Sequence, residues 1–168
     1  MRKRGRKRKK PIIPKFAQNR FGEYVCYFDG ACEPKNPGGN MGLGALILKD
    51  ESPVFEKSDY VPAKFENSNN VAEYMAFIHT LDWLIENDLK ERRIVVYGDS
   101  MLVVRQMNGE WRIKEGRYVE WAKKAKAKLA GFTNISIYWI PREENERADE
   151  LSKKCMIENG CEFKIQPI

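Results

Sequence analysis

Three strand-like segments followed by an alternation of helix and strand predict an α/β domain, a mixed sheet with helices on both faces. The observations behind this are an early run of strand-forming residues broken by turns, a switch to helical period at Asn70, and short apolar runs between the later helices. Aromatic and β-branched residues from Tyr24 to Phe28 favour an extended strand, and the Pro and Gly cluster from Pro34 to Gly39 enforces a turn after it. Asp29 therefore falls where a buried strand ends. Gly42 to Lys49 and Val54 to Val61 read as two more strands joined at Asp50 to Pro53, giving an antiparallel meander. Asn70 to Asn87 has helical length without Pro or Gly, and Ile94 to Gly98 is a short apolar strand. Ser100 to Met107 and Arg117 to Gly131 read as helices, Ile135 to Ile140 as a strand stopped by Pro141, and Glu144 to Asn159 as a helix ended by Gly160.

With 168 residues the chain is one domain of ordinary size, and no apolar run approaches the roughly 20 residues of a membrane span. Arg2 to Lys10 is followed by no apolar stretch of the signal-peptide kind. Cys26, Cys32, Cys155 and Cys161 contain no CxxC pair, so a zinc site is disfavoured, a disulfide at Cys32 or Cys161 has no support, and a reduced cytoplasmic setting is the default. The net charge of +6 is a property of one end: residues 1–10 hold eight Lys or Arg and no acid, which leaves the remainder at −2. Such a block suits phosphates, or nuclear import in a eukaryote, while its plainer reading is a solubility tail. The expected organisation is a basic tail over residues 1–20, a domain over 21–160 and an extension over 161–168 whose role is not legible.

Carboxylates recur at awkward places. Burying Asp29 ionised beside apolar neighbours is costly without a cation or several donors. Glu73 lies in the first turn of the long helix, at the edge of the stripe Phe77, Leu81 and Leu84, so it faces the sheet. Asp99 follows the strand IVVYG and precedes a helix, at the carboxyl end of a strand where open α/β sheets place their sites. Asp149 shares a face with Asn145, one turn earlier. Each alone reads as a cap or turn residue. Four that can meet at one sheet edge are harder to explain that way.

The segments DGACEPKNPGG with Asp29, SNNVAEYMA with Glu73, VYGDS with Asp99 and NERADELS with Asp149 stand in an order and spacing that resemble the type 1 ribonuclease H family, over about Tyr24 to Lys154. The resemblance implies a five-stranded mixed sheet of order 3-2-1-4-5 and hydrolysis of the RNA strand of an RNA/DNA hybrid, leaving 5′-phosphate and 3′-hydroxyl ends. It implies Asp29, Glu73, Asp99 and Asp149 as catalytic metal ligands for Mg²⁺, or Mn²⁺ as alternative, with Asp29 bridging and Asp149 peripheral. Two such ions roughly 4 Å apart can clamp a phosphodiester, and acidic oxygen ligands suit these hard cations.

By the same resemblance Gly30, Asn36, Pro37, Gly38, Asn69, Asn70, Ser100 and Asn145 are expected at the substrate, the amides suiting 2′-hydroxyls, with turn and N-cap chemistry as their plainer reading. Met101 departs from the polar residue many relatives carry. Many bacterial relatives have a catalytic-loop His where this chain has only PREE, Pro141 to Glu144, and His79 is expected on the outer face of its helix. Arg142 or Glu143 could assist there, though a structural loop is the plainer reading. The short segment Asn108 to Gly116 leaves no room for the inserted basic helix of some relatives; Lys123, Lys124, Lys126 and Lys128 could replace it or form a solvated face. Trp111 could stack on a sugar or pack. The expectation is a monomeric enzyme whose partner is an RNA/DNA hybrid. The rivals are a non-catalytic hybrid-binding module, a recombinase- or integrase-like nuclease of the same fold, and a piece of a reverse-transcriptase polyprotein.

Overall fold

A computed structural model describes residues 23–165. The basic N-terminal tail and the last three residues of the C-terminal extension lie outside the described residues. Strands β1 (Tyr24–Glu33), β2 (Asn40–Lys49) and β3 (Ser52–Val61) form the meander. Then come α1 (Asn69–Glu86), β4 (Ile94–Gly98), α2 (Met101–Met107), α3 (Val119–Leu129), β5 (Ile135–Trp139), a 3-10 turn at Arg142–Glu144 and α4 (Glu146–Glu158). The sheet order is β3-β2-β1-β4-β5, the predicted one.

Strand alternation sorts the core into two layers. Tyr24, Cys26 and Phe28 of β1 face Phe77, Leu81 and Leu84 of α1, with Val103 of α2 and Ala122 and Ala125 of α3 in the same cluster. Val25 and Tyr27 face the other way, onto Ala148 and Leu151 of α4 with Val95 and Tyr97 of β4. Fully buried side chains such as Phe77 and Leu81 each contribute about 1.5–3 kcal/mol over exposure. α1 starts where Ser68 caps it, its hydroxyl accepting from the Val71 N–H at 3.1 Å.

One expectation is corrected here. β1 does not end at Asp29 but runs on to Glu33, paired antiparallel with β2 as far as Glu33 opposite Asn40. Its parallel ladder with β4 stops at Phe28 opposite Gly98. Asp29 is thus the first β1 residue without a strand on its β4 side. The strand ends for one neighbour only, because β4 has five residues where β2 has ten. His79 is also misplaced by the sequence. It is half-buried, with Nε2 3.2 Å from Asp59 Oδ2 on β3.

All four cysteines are free thiols. Among the described residues no helix is long and apolar enough to cross a membrane. The segment after α4 packs back on the domain, with Phe163 buried against Cys155 and Met156.

Candidate active site

The strand end, two helices and two close glycine contacts bring the acids together. Asp29 stands beyond the last β1–β4 pair, and Asp99 follows β4 directly. Glu73 comes from just after the first turn of α1 and is drawn in because Gly30 has no side chain: a Cβ there would lie 2.3 Å from the Ala72 carbonyl carbon and 2.4 Å from the Glu73 nitrogen. Gly44 plays the same part for α4, since a Cβ there would lie 2.1 Å from the Ala148 carbonyl oxygen, one residue before Asp149.

Asp29, Glu73 and Asp99 each offer an oxygen, all within 4.8 Å of one another. Asp149 does not join that set. Its Oδ2 is 3.0 Å from Lys153 Nζ and its Oδ1 3.6 Å from Arg142 Nη2. Asp29 is 5% exposed and Glu73 9%. Burial, then the charges of Asp99 and Asp149, hold the Asp29 carboxyl well above the usual carboxylate range. Burial, then Asp29 and Asp99, do the same to Glu73. Asp99 is pushed up by burial against the pull of the Asn145 hydrogen bond and of Arg142. The donor set is all hard oxygen, and Glu73 Oε2 is buried without a hydrogen-bond partner. Those features fit a divalent cation of the Mg²⁺ class.

Around the acids, the turn after β1 and the start of α1 form one braced surface. Asn36 Oδ1 accepts from the Asn69 N–H at 2.9 Å, and Asn69 Oδ1 accepts from the Cys32 N–H at 2.8 Å. Gly38 donates its N–H to Asn67 O at 2.8 Å, and the Asn67 amide holds Gly39 O and Pro62 O. Asn36, Pro37, Asn69 and Asn70 are exposed. Ser100 caps α2, accepting from the Val103 N–H at 3.3 Å. Asn145, expected at the substrate, is only 1% exposed and turned inward: its Nδ2 donates to Phe28 O at 2.8 Å and lies 3.4 Å from Asp99 Oδ2. Its contacts are with β1 and an acid, because it must cap the broken ladder beneath them.

A family profile described as Reverse transcriptase-like matches residues 27–155, more than half of the chain. The crystal structure of RNase H1 from Halobacterium salinarum superposes with a TM-score of 0.70 at 31% identity, covering 82% of this chain and 99% of that one. This chain belongs to the type 1 ribonuclease H family. The structure of LC11-RNase H1 in complex with RNA/DNA hybrid gives a TM-score of 0.72 at 33% identity, over 81% of this chain and 98% of that one. A bifunctional protein of Mycobacterium tuberculosis is 34% identical over 122 residues, 72% of this chain but 32% of that protein. The chain therefore matches about a third of that relative's length.

Within this ribonuclease H domain, three supporting contacts escaped the sequence reading. The Ser152 hydroxyl is 3.4 Å from Asp29 Oδ2 and donates to Asp149 O at 2.7 Å. Lys153 lies four residues beyond Asp149, a helical spacing that could have been read as an ion pair. Trp139 Nε1 donates to Asp99 O at 3.1 Å, a contact between neighbouring strand ends that no local pattern announces. The loop of the missing His is the 3-10 turn Arg142–Glu144, whose Arg142 reaches Asp149.

Proposed function

We propose that this chain hydrolyses the RNA strand of RNA/DNA hybrids as a metal-dependent endonuclease, leaving 5′-phosphate and 3′-hydroxyl ends. The observation that carries the reading is the convergence of Asp29, Glu73 and Asp99 within 4.8 Å, the first two buried and the third half-buried, with like charges raising the Asp29 and Glu73 carboxyls. Such a cluster is costly to keep unless cations neutralise it. Asp29, Glu73 and Asp99 would hold two Mg²⁺ ions, or Mn²⁺, with Asp149 at the periphery. When bound, such ions activate water and stabilise the charge that develops at the scissile phosphate.

The remaining work falls to the protein. Asn145 and Trp139 fix Asp99 from its two sides, and Ser152 steadies Asp29. Asn36 and Asn69 have their oxygens engaged by backbone N–H groups, so their amide N–H donors face outward, suited to the 2′-hydroxyls and base edges of an RNA minor groove. Asn70, Pro37, Gly38 and the Gly30 backbone lie in the same braced surface, and Ser100 stands beside Asp99. The eight cations of residues 1–10 would contact phosphates without reading sequence, and the enzyme acts as a monomer.

The test is a labelled RNA/DNA hybrid, RNA duplex and DNA duplex, each incubated with Mg²⁺, Mn²⁺ or chelator. Cleavage of the hybrid's RNA strand alone, abolished by chelator and by Asp99→Asn, with ligatable 5′-phosphate ends, is expected. Chelator-resistant cleavage, or full activity of the substituted protein across a Mg²⁺ titration, refutes the reading.

A further inference from the structure

The segment after α4, whose role the sequence leaves open, runs onto the base of the turn that carries Asn36. α4 is closed by Gly160, whose φ of +68° lets the Cys161 N–H donate to Met156 O at 2.9 Å. Phe163 is then buried beside Cys155 and Met156, with Ala31 of β1 and Tyr60 of β3 packed against the same cluster. Ala31 and Glu33 are two residues apart on β1, and Asn40 of β2 stands opposite Glu33, so all three share the α4 face of the sheet. The segment reaches both polar members of that trio. The Lys164 N–H donates to Glu33 Oε2 at 2.9 Å, and Asn40 Nδ2 donates to Cys161 Sγ at 3.2 Å.

Asn40 is the joint. Its Nδ2 also donates to Glu33 O at 3.2 Å, while its Oδ1 accepts from the Tyr60 hydroxyl at 2.8 Å and from the Ala63 N–H at 3.0 Å. Two donated and two accepted bonds use the whole capacity of a side-chain amide. They tie β1, β3, the loop after β3 and the C-terminal segment to one residue. The turn 34–39 stands directly on it, because Glu33 opposite Asn40 is the last pair of the β1–β2 ladder. That turn has no slack: a Cβ on Gly39 would lie 2.4 Å from Lys35 O and 2.6 Å from Glu33 O. A shift at Glu33 or Asn40 is therefore passed on to Asn36.

We propose that residues 161–164 are a strap that sets the turn 34–39 for the RNA strand of the hybrid, with Asn40 and Glu33 as its positioning residues. The strap rests on the reading of Asn36 at the hybrid's minor groove and adds what holds that turn in place. Its bonds do not touch Asp29, Glu73 or Asp99, so it acts on affinity. A turn ordered in advance loses less freedom when the duplex arrives, and binding that is equal in ground and transition states moves KM and leaves kcat.

The test is steady-state cleavage of a labelled RNA/DNA hybrid with Mg²⁺, and fluorescence anisotropy of the same hybrid with Ca²⁺ in place of Mg²⁺, at a temperature where circular dichroism shows each variant folded. Asn40→Ala, Glu33→Ala and Phe163→Ala are expected to raise KM and Kd roughly three- to tenfold and to leave kcat within about twofold. Glu33→Gln keeps an acceptor for the Lys164 N–H and should behave as wild type; were Glu33 acting only through its charge, the loss of that charge near phosphates would tighten binding. His79→Ala removes a bond between α1 and β3, controls for stability alone, and should leave KM unchanged. If Phe163→Ala fails to fold, Asn40→Ala and Glu33→Ala decide. KM and Kd within about twofold of wild type in both of those variants overturn the strap, as does a fall in kcat at unchanged KM, or Glu33→Gln matching Glu33→Ala. Amide hydrogen exchange separates the strap from the hybrid reading: exchange at Gly38 and Gly39 should be faster in Asn40→Ala, and unchanged exchange overturns the bracing. A wild type that fails to cleave hybrid while that exchange responds refutes the proposed activity and not the bracing of the turn.

Discussion

Replacing Gly30 with alanine adds one methyl group at the joint between β1 and α1. The new carbon would lie 2.3 Å from the Ala72 carbonyl carbon, 2.4 Å from the Glu73 nitrogen and 2.6 Å from the Ala72 oxygen. Non-bonded carbons settle at about 3.5–4.0 Å, so strand and helix must part by roughly 1 Å or more. All three neighbours are backbone, so no side chain can swing aside. α1 is anchored further along by buried Phe77, Leu81 and Leu84, and its first turn has to lift. Overpacking of this kind costs about 1–3 kcal/mol, or roughly 2–12 °C in Tm for a domain of this size. Activity should suffer more, because Glu73 directly follows that turn and moves with it, and a misplacement of about 1 Å at a reacting centre can cost on the order of a hundredfold. The assay is kcat on saturating hybrid at a temperature where circular dichroism shows the variant folded, with the Mg²⁺ midpoint measured alongside. A variant with wild-type Tm and wild-type turnover would refute the argument that Gly30 sets the position of Glu73.

Four other perturbations have worked signs. Asp29 and Glu73 have folded-state pKa values raised above their unfolded ones, so their contribution to stability is fully present below about pH 4 and is lost as pH rises through the raised values. In chelator, the Tm of wild type minus that of Asp29→Asn should therefore fall with rising pH, and a difference that grows would contradict the electrostatics. Asn145→Ala removes a buried donor from Phe28 O and from Asp99, so a loss of about 1–3 kcal/mol by urea unfolding and a weaker Mg²⁺ midpoint are expected, with no change in either counting against it. His79→Ala should lower stability by about 1 kcal/mol while leaving turnover within about twofold; a large turnover loss in a folded variant would place His79 in the chemistry. Deleting residues 1–10 should make the slope of log hybrid affinity against log salt shallower, by at most ~7 for eight cations, and parallel slopes would show that the tail does not touch the substrate.

Much of this was legible because it depends on period and on chain punctuation. β4 falls at Ile94–Gly98 as read, since a short apolar run bounded by polar residues has few alternatives in an α/β chain. α1 differs from its predicted limits by one residue at each end, fixed by the Ser68 cap and by Asn87. What local reading could not supply was lateral. The Asp-Gly pair at Asp29 looks like a strand end from the sequence, and only the pairing shows that the strand ends on one side and continues on the other. His79 lies off the apolar stripe of α1 by angle, but β3 reaches that flank, as the Phe55–Trp83 stack at 5.5 Å also shows, so a position that angle alone assigns to solvent is half covered. Lys123, Lys124 and Lys126 are exposed as the spacing suggested, whereas Lys128 is held by Asp82 at 2.6 Å.

The place of the acids follows from how the two parallel ladders stop. A strand that ends inside a sheet leaves its neighbours' carbonyls without donors, and buried groups in that position must be satisfied. At the β1–β4 boundary the missing donor is replaced by the Asn145 side chain, which bonds Phe28 O. Beyond the last β4–β5 pair, Ile140 N–H donates to Gly98 O at 3.0 Å, and Trp139 Nε1 donates to Asp99 O. Both replacements come from the segment that leads into α4, so capping the ladders also brings Asp149 to the same edge. With no β4 residue opposite Asp29, the sheet no longer stands between its two helical layers, and Glu73 from one layer can approach Asp29 and Asp99 from the other side. The repulsion built into that convergence is therefore a consequence of where the sheet opens. A five-residue β4 is what keeps that gap open, because a strand one pair longer would put a residue opposite Asp29 and fill it.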